Sequence, residues 1–209
     1  MYLSWDKTAF SSDFLQDFWD TLKTSLFAPH DFYEKVSHGQ GMKRAFCYGA
    51  FLSTLGLILL QVFNFGLNET SSDLGWFAVF SAPTSIFGIV LFIVASFIFV
   101  SLGLFFNAGI LHLCLLILNA SRRSFADTFR VVCYSRGPEV FQFVPFVGAI
   151  ISGVWSLVLI VIGLKRVHQC STARSMLAVA LPLLACGSLF VFVMLAIGGS
   201  LMAGSFLMR

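Results

Sequence analysis

Long apolar runs separated by short polar segments make up most of the chain after Met42. Several runs reach the ~20 residues that a helix needs to cross the hydrocarbon core of a bilayer. A length of 209 residues suits one bundle without a separate soluble domain. We therefore predict an all-α, polytopic membrane helix bundle with five transmembrane helices, at about 42–65, 83–119, 124–147, 149–164 and 175–208.

Residues 1–41 show a different pattern, in which apolar and polar positions alternate at helical spacing. Between Ala9 and Phe27 the pattern predicts an amphipathic helix with an acidic polar face. We expect it to lie at the cytoplasmic interface, as an N-terminal amphipathic interfacial helix docked through its aromatic residues. A second short helix begins at Pro29. The first of these helices, Ala9 to Phe27, is either a plain anchor or a partner-binding surface. The candidate residues of that surface are Phe14, Phe18, Trp19 and Leu22.

The run 83–119 is longer than one crossing requires. As a helix its 37 residues would extend ~55 Å, against a hydrocarbon core of ~30 Å. It is either one long helix or two short spans that turn at residues 106–109. Lysine and arginine residues favour cytoplasmic segments, and a single long helix with a crossing at 124–147 places most of them on one side. This count favours five spans, with the N-terminus inside.

The third predicted span carries Arg130, Arg136 and Glu139 well beyond its first turn. A charge at the bilayer centre costs ~2.5–3.5 kcal/mol even on insertion scales, so such residues usually face protein or water. Pro138 lacks a backbone N–H and clashes with the carbonyl four residues earlier, so it should break the helix. We expect the other spans to pack around this broken, charged segment.

Counting from the inner ends of the spans gives the depth of each polar side chain. Arg136 and Asn107 both fall ~18 Å in, near the midplane. Arg130 and His112 fall ~9 Å in, where Arg130 should extend to the inner interface. In one interpretation Arg136 and Glu139 neutralise each other, helped by Asn107, Ser135 or Gln142. In the other they form a solute, proton or lipid-headgroup site. The candidate intramembrane polar site comprises Arg130, Tyr134, Ser135, Arg136, Pro138, Glu139, Asn107 and His112.

Composition and motifs narrow the function. The chain is 58% hydrophobic and 11% charged, with a mean hydropathy of +0.89, outside the range of ordinary soluble domains. No catalytic, phosphate-binding or dinucleotide-binding fingerprint occurs, so we expect a protein that is not an enzyme and has no cofactor. The five cysteines follow no metal-ligand spacing, and we expect no metal. The short basic clusters flank spans and do not indicate nucleic-acid binding.

An ordered set of residues resembles the Yip1 family, in its bacterial-type form. It begins with Phe18-Trp19, Leu22, Leu26, Pro29 and Phe32-Tyr33, continues with Ser124-Phe125, Thr128, Arg130-Val131, Tyr134-Ser135, Pro138 and Pro145, and closes with Val147-Gly148, Trp155, Ile162-Gly163-Leu164, Val167-His168 and Ser171. The resemblance implies five spans and a cytoplasmic N-terminus. Eukaryotic relatives act in Golgi and vesicle traffic and bind Rab-type GTPases. Their acidic-Leu-Tyr-Gly-Pro motif is absent here, so Rab binding does not carry over. For bacterial relatives the resemblance implies an inner-membrane location.

These observations give two functional hypotheses. The first is a non-enzymatic scaffold that organises the membrane or binds partners through its cytoplasmic face. The second is a small-solute or ion transporter, a channel or a lipid-handling protein that uses the polar broken span. Expected partners are membrane lipids, other membrane proteins or a second copy. The C-terminus is expected outside the bacterial inner membrane.

Overall fold

The computed structural model describes residues 14–38, 41–66, 86–144 and 147–207. These ranges are helical, with no strand among them. The helices are α1 (Phe14–Phe27), α2 (Pro29–His38), α3 (Lys43–Gly66), α4 (Ile86–Ile117), α5 (Phe125–Tyr134), α6 (Val147–His168) and α7 (Thr172–Leu207), with a 3-10 helix (Gly137–Phe143) between α5 and α6. The all-α prediction is confirmed. Residues 9–13 of the predicted first helix lie outside the described ranges.

Among the residues that the structure describes, three helices, α3, α4 and α6, are long and apolar enough to cross a membrane. Helix α4 continues without interruption through residues 106–109, so the interpretation as two short spans is wrong. That stretch contains no proline, and Gly109 alone costs a helix only ~1 kcal/mol relative to alanine. Much of α4 presents exposed apolar side chains, such as Phe87, Val94 and Leu102. A helix with such a surface requires an apolar surrounding, as the lipid of a membrane provides.

The third predicted span is divided into two helices of different kinds. Helix α5 begins after Ser124, where Ser124 and Asp127 form a capping box. It ends at Tyr134, and Pro138 then occupies the first turn of the 3-10 helix, where its missing N–H costs no hydrogen bond. The predicted break is therefore present. At ~1.5 Å per residue for α5 and ~2.0 Å for the 3-10 helix, the two together extend about 29 Å.

Close contacts show how these elements run relative to one another. The ring of Phe46 stacks on that of Phe129, and Gly49 lies against Cys133. Further along, Gly56 lies against Gln142, so α5 and the 3-10 helix run in the same direction as α3. Helix α6 runs back in the opposite direction.

The return of α6 is marked by contacts at both of its ends. It begins with Gly148 packed against Phe141, and later Gly163 packs against Val131. His168, its last residue, reaches Thr128 near the start of α5. Helix α6 and the segment from α5 to the 3-10 helix therefore cover the same depth.

The helix that corresponds to the predicted fourth span, 149–164, is longer than expected. Helix α6 extends to His168 and carries Lys165, Arg166 and His168 in its last turn, where cations interact favourably with the helix dipole. Gln169 then adopts a left-handed backbone conformation (φ 51°), which ends the helix. The following helix, α7, is 36 residues long and contains Pro182.

The N-terminal helices pack against the membrane helices. In α2, Phe32, Tyr33 and Val36 are fully buried, and Tyr33 lies against Gly163 of α6. In α1, the ring of Phe18 lies 5.3 Å from that of Tyr48 in α3. The apolar faces of both helices are therefore used within the fold.

Candidate functional site

A cavity of about 340 Å³ lies between α3, α4 and the 3-10 helix. Ser53 lies near the middle of α3, and Asn107 lies ten residues before the end of α4. The wall combines polar side chains with apolar ones. The polar ones are Ser53, Asn107, Arg136, Glu139 and Gln142, and the others are Leu57, Phe99, Val100, Gly103 and Leu104.

The 3-10 geometry explains why three polar residues line one wall. A 3-10 helix has three residues per turn, so side chains three positions apart lie directly above one another. Arg136 caps the 3-10 helix, and Glu139 and Gln142 follow at intervals of three. All three line the cavity. In an α-helix the same residues would be offset by about 60° at each step, since 3.6 residues complete a turn.

Arg136 and Glu139 form an ion pair across this wall. Arg136 Nη1 donates to Glu139 Oε1 at 3.0 Å. The side chains are 24% and 11% exposed, so both charges are largely removed from solvent. Removing one partner would leave a buried charge without compensation, which is strongly unfavourable. The predicted mutual neutralisation of Arg136 and Glu139 is therefore present.

Three buried polar atoms of the cavity residues have no hydrogen-bond partner among the described residues. They are Arg136 Nε, Gln142 Oε1 and Ser53 Oγ. Each buried polar group without a partner costs about 1–3 kcal/mol, so native proteins usually supply water or a ligand. A cavity of this volume has room for either. These three atoms are themselves shielded from solvent, and Gln142 Oε1 faces Gly56 of α3, so a ligand reaches them only after their side chains rotate towards the cavity.

The other residues near the helix break, Tyr134, Ser135 and Pro138, pack within the bundle and do not line the cavity. Ser135 Oγ lies 2.8 Å from Tyr33 Oη and donates to the carbonyl of Val131 at 2.7 Å. Tyr134 packs edge to face on Phe32, and Pro138 is buried in the first turn of the 3-10 helix. Of the predicted polar set, Arg136, Glu139 and Asn107 come together at the cavity, and Ser135, Tyr134 and Pro138 do not line it.

Arg130 does not extend to the interface, and that expectation is wrong. It is 5% exposed and forms an ion pair with Asp127, one turn earlier on α5. Asp127 also accepts hydrogen bonds from the backbone N–H and the hydroxyl of Ser124. Asp127 lies three residues before Arg130 on the same helix face, and its carboxylate is already held by Ser124. It therefore provides the polar partner that an extended arginine would find in water.

His112 belongs to a separate cluster that joins three helices. Thr128 Oγ1 of α5 lies 2.9 Å from His112 Nδ1 of α4 and 3.0 Å from His168 Nε2 of α6. The two imidazole rings lie 6.2 Å apart. Because the three residues are far apart in sequence, no local pattern connects them. The sequence analysis placed His112 at the depth of Arg130. It named Thr128 and His168 only in the family resemblance and did not connect them with His112.

The candidate partner surface on α1 is largely used by the fold. Leu22 is 5% exposed, and Phe18 packs on Tyr48 and Phe51, so neither offers a free side chain. Trp19 is 53% exposed, with Lys23 Nζ 5.3 Å from the ring centroid. The side chain of Phe14 lies outside the described part of the structure. Only Trp19 of this set is shown to be accessible.

Several cavity residues were not predicted as a site. Ser53, Leu57 and Gly103 lie in apolar runs without a distinguishing signal. Gln142 was recognised only as a possible hydrogen-bond partner. The spacing Arg136-x-x-Glu139-x-x-Gln142 is the signal that identifies it, once the segment is read as a 3-10 helix. In the described part of the chain, no three His, Cys, Asp or Glu side chains are grouped to hold a metal ion.

Comparison with known proteins identifies the family to which the chain belongs. The Yip1 domain model matches residues 23–195, which include α2 to α6 and parts of α1 and α7. No curated protein and no solved structure gave a match. The matched region covers most of the chain and includes the whole cavity. Together with the long apolar helices, this match shows that the chain is a membrane protein that belongs to the Yip1 family.

Proposed function

We propose that this Yip1 family protein is a non-enzymatic, lipid-handling membrane protein that binds a polar headgroup in the cavity between α3, α4 and the 3-10 helix. The observation that carries the proposal is the set of three unpartnered buried polar atoms beside the Arg136–Glu139 pair. Native interiors rarely leave such atoms unpaired. A bound headgroup satisfies them once the side chains of Arg136, Gln142 and Ser53 rotate towards the cavity, and the apolar half of the wall accommodates the adjoining hydrocarbon.

The orientation proposed here has five crossings, with residues 1–41 cytoplasmic, residues 42–209 forming the membrane domain and the C-terminus outside the inner membrane. Helix α6 is long enough to cross, and the segment from α5 to the 3-10 helix covers the same depth beside it. This supports a third crossing at Ser124–Phe143. A thiol tag added after Arg209 should react with an impermeant reagent in intact cells. Labelling only after lysis would contradict the orientation.

The test of headgroup binding uses a cavity-filling substitution. A Cβ atom on Gly103, which lines the cavity, would meet no heavy atom within 4 Å. Gly103→Leu should therefore fill the cavity without a clash at Cβ. Gly109→Leu is the matched control, because Gly109 also lies in α4 with open space at Cβ and does not line the cavity.

Each protein is extracted directly into native nanodiscs, released into mild detergent and analysed by mass spectrometry. The wild type and Gly109→Leu should retain a specific lipid. Gly103→Leu should retain at least fivefold less of that lipid than the wild type does. Equal retention by all three proteins would contradict the proposal.

A scaffold function is the second candidate, favoured by two exposed aromatic side chains on α1. Trp19 is 53% exposed and Phe27 81% exposed, although the rest of the apolar face is docked. Removing residues 1–28 would uncover the bundle, so point substitutions are the better test. Trp19→Ser with Phe27→Ser should abolish recovery of a cross-linked membrane partner at unchanged protein stability. Unchanged recovery would exclude this surface.

A further inference from the structure

We infer that the headgroup recognised in the cavity is a zwitterion that carries a phosphate and a primary ammonium, as in phosphatidylethanolamine. This inference rests on the proposed binding function and adds the chemical class of the ligand. It follows from the charges of the wall, from the kind of hydrogen-bonding atoms left unpaired, and from the side on which the cavity meets apolar surface.

The charges of the wall favour a ligand that is neutral overall. Arg136 and Glu139 are the charged residues among those that line the cavity, and their charges cancel. A ligand with a single charge would be attracted by one residue and repelled by the other. A zwitterion places each of its charges against the opposite one, which gives electrostatic complementarity at both ends.

The anionic end matches Arg136. One guanidinium nitrogen is used by Glu139, and Nε has no partner among the described residues. Guanidinium groups bind phosphate oxygens through charge-assisted hydrogen bonds at fixed geometry. Because Nε is shielded from solvent, a phosphate binds it without breaking the ion pair only after a small rotation of the guanidinium.

The cationic end matches a primary ammonium in particular. Such a group has three N–H donors and needs oxygen acceptors. The residues that line the cavity supply the Glu139 carboxylate and, after rotation of their side chains, the unpartnered Gln142 Oε1 and Ser53 Oγ. A quaternary ammonium has no N–H and is recognised by surrounding aromatic rings. Phe99 is the one aromatic residue among the cavity-lining residues that the structure describes.

The apolar wall indicates that the ligand is a lipid and not a free solute. Phe99 lines the cavity and is also 62% exposed on α4. Next to it, Ile98 and Leu102 are exposed apolar residues of the same helix. Acyl chains attached to a bound headgroup can therefore leave along α4 into the membrane.

The test is a lipid titration followed by native mass spectrometry of the delipidated protein in detergent. The probes are phosphatidylethanolamine, phosphatidylcholine and phosphatidylglycerol with identical acyl chains, at equal concentration. We expect the wild type to bind the ethanolamine lipid at least fivefold more than either of the others. Glu139→Gln should reduce the ratio of ethanolamine to choline lipid to about one, because it removes the anionic acceptor.

A second variant keeps the proposal testable if Glu139→Gln does not fold. Ser53→Ala removes a hydroxyl that has no partner among the described residues, so the fold should be unaffected, and it should reduce ethanolamine-lipid binding two- to fivefold. Ser156→Ala is the matched control. Ser156 Oγ is likewise buried and unpartnered in the described structure but lies outside the cavity lining. It should bind as the wild type does.

The remaining outcomes separate the inference from the proposed function. Equal binding of ethanolamine and choline lipids by the wild type, lost in Gly103→Leu, would overturn the ammonium preference and leave headgroup binding intact. Binding that no cavity variant changes would overturn both. Glycerophosphoethanolamine should displace less than a tenth of the lipid at equal concentration. Complete displacement would show that the ligand is the free solute.

Discussion

Tyr33 of α2 and Ser135 of α5 are joined by a hydrogen bond of 2.8 Å, although 102 positions separate them. Ser135 is the residue that follows the end of α5, two positions before Gly137, where the 3-10 helix begins. The N-terminal helix pair is thereby attached to the point where the polar segment changes from α-helix to 3-10 helix. This contact connects the N-terminal helices to the segment that forms the wall of the cavity.

Tyr33→Phe should lower the unfolding free energy by about 1 kcal/mol, since it removes one buried hydrogen bond and leaves the Ser135–Val131 bond in place. Chemical unfolding in detergent measures it. Ser37→Ala, which affects an exposed bond within α2, is the control and should be neutral. A change below a few tenths of a kcal/mol for Tyr33→Phe would contradict the contact.

The same tyrosine predicts a dependence on pH. Burial raises the pKa of Tyr33 above its usual value of about 10. The folded state therefore favours the neutral phenol. The resulting stabilisation is complete below the unfolded pKa and is lost as the pH rises towards the folded pKa. Between pH 10 and 11, Tyr33→Phe should lose less stability than the wild type. Parallel losses would mean that Tyr33 is accessible to solvent.

Gly49→Ala should destabilise the bundle by about 1–3 kcal/mol, because the new Cβ would lie 2.9 Å from Cys133 Cα, a backbone atom that cannot rotate away. Thermal unfolding in detergent measures the loss. Gly109→Ala is the control, since its Cβ meets nothing within 4 Å. If both variants melt as the wild type does, α3 and α5 are not in close contact.

Thr128→Val should destabilise the protein by about 2 kcal/mol, because His112 and His168 each lose a hydrogen-bond partner. Thr128→Ser keeps the hydroxyl and should retain most of the stability. The comparison is made by chemical unfolding of the two variants. Equal destabilisation by serine and valine would assign the effect to the lost methyl group and contradict the bridge.

Gly56→Ala tests the placement of Gln142. The added Cβ would lie 2.9 Å from Gln142 Oε1 and should displace this flexible amide without moving the backbone. We expect a two- to fivefold loss of lipid retention at nearly unchanged stability, measured by mass spectrometry and thermal unfolding. Normal retention would show that the Gln142 amide takes no part in binding.

Local rules were sufficient for features that depend on neighbouring residues. Pro138 predicts the break because it lacks an N–H, and the spacing of Arg136 and Glu139 predicts their ion pair. Each of these is decided within a few residues of the chain.

Features that depend on pairing between helices could not be predicted in this way. The bridge from His112 through Thr128 to His168 needs the relative positions of α4, α5 and α6. The burial of Arg130 depends on how α5 is enclosed by its neighbours. Counting residues from the span ends placed Asn107 correctly at the level of Arg136. Ser53 could not be assigned to the cavity in this way, because its position depends on how α3 lies beside the 3-10 helix.

The most direct test of headgroup binding is an electron-density map from crystals grown in a lipid mesophase that contains phosphatidylethanolamine. We predict density in the cavity within hydrogen-bonding distance of Arg136 and Gln142, continuing past Phe99 along α4. A cavity filled by the protein's own side chains, with Gln142 and Ser53 hydrogen-bonded to each other, would contradict the account.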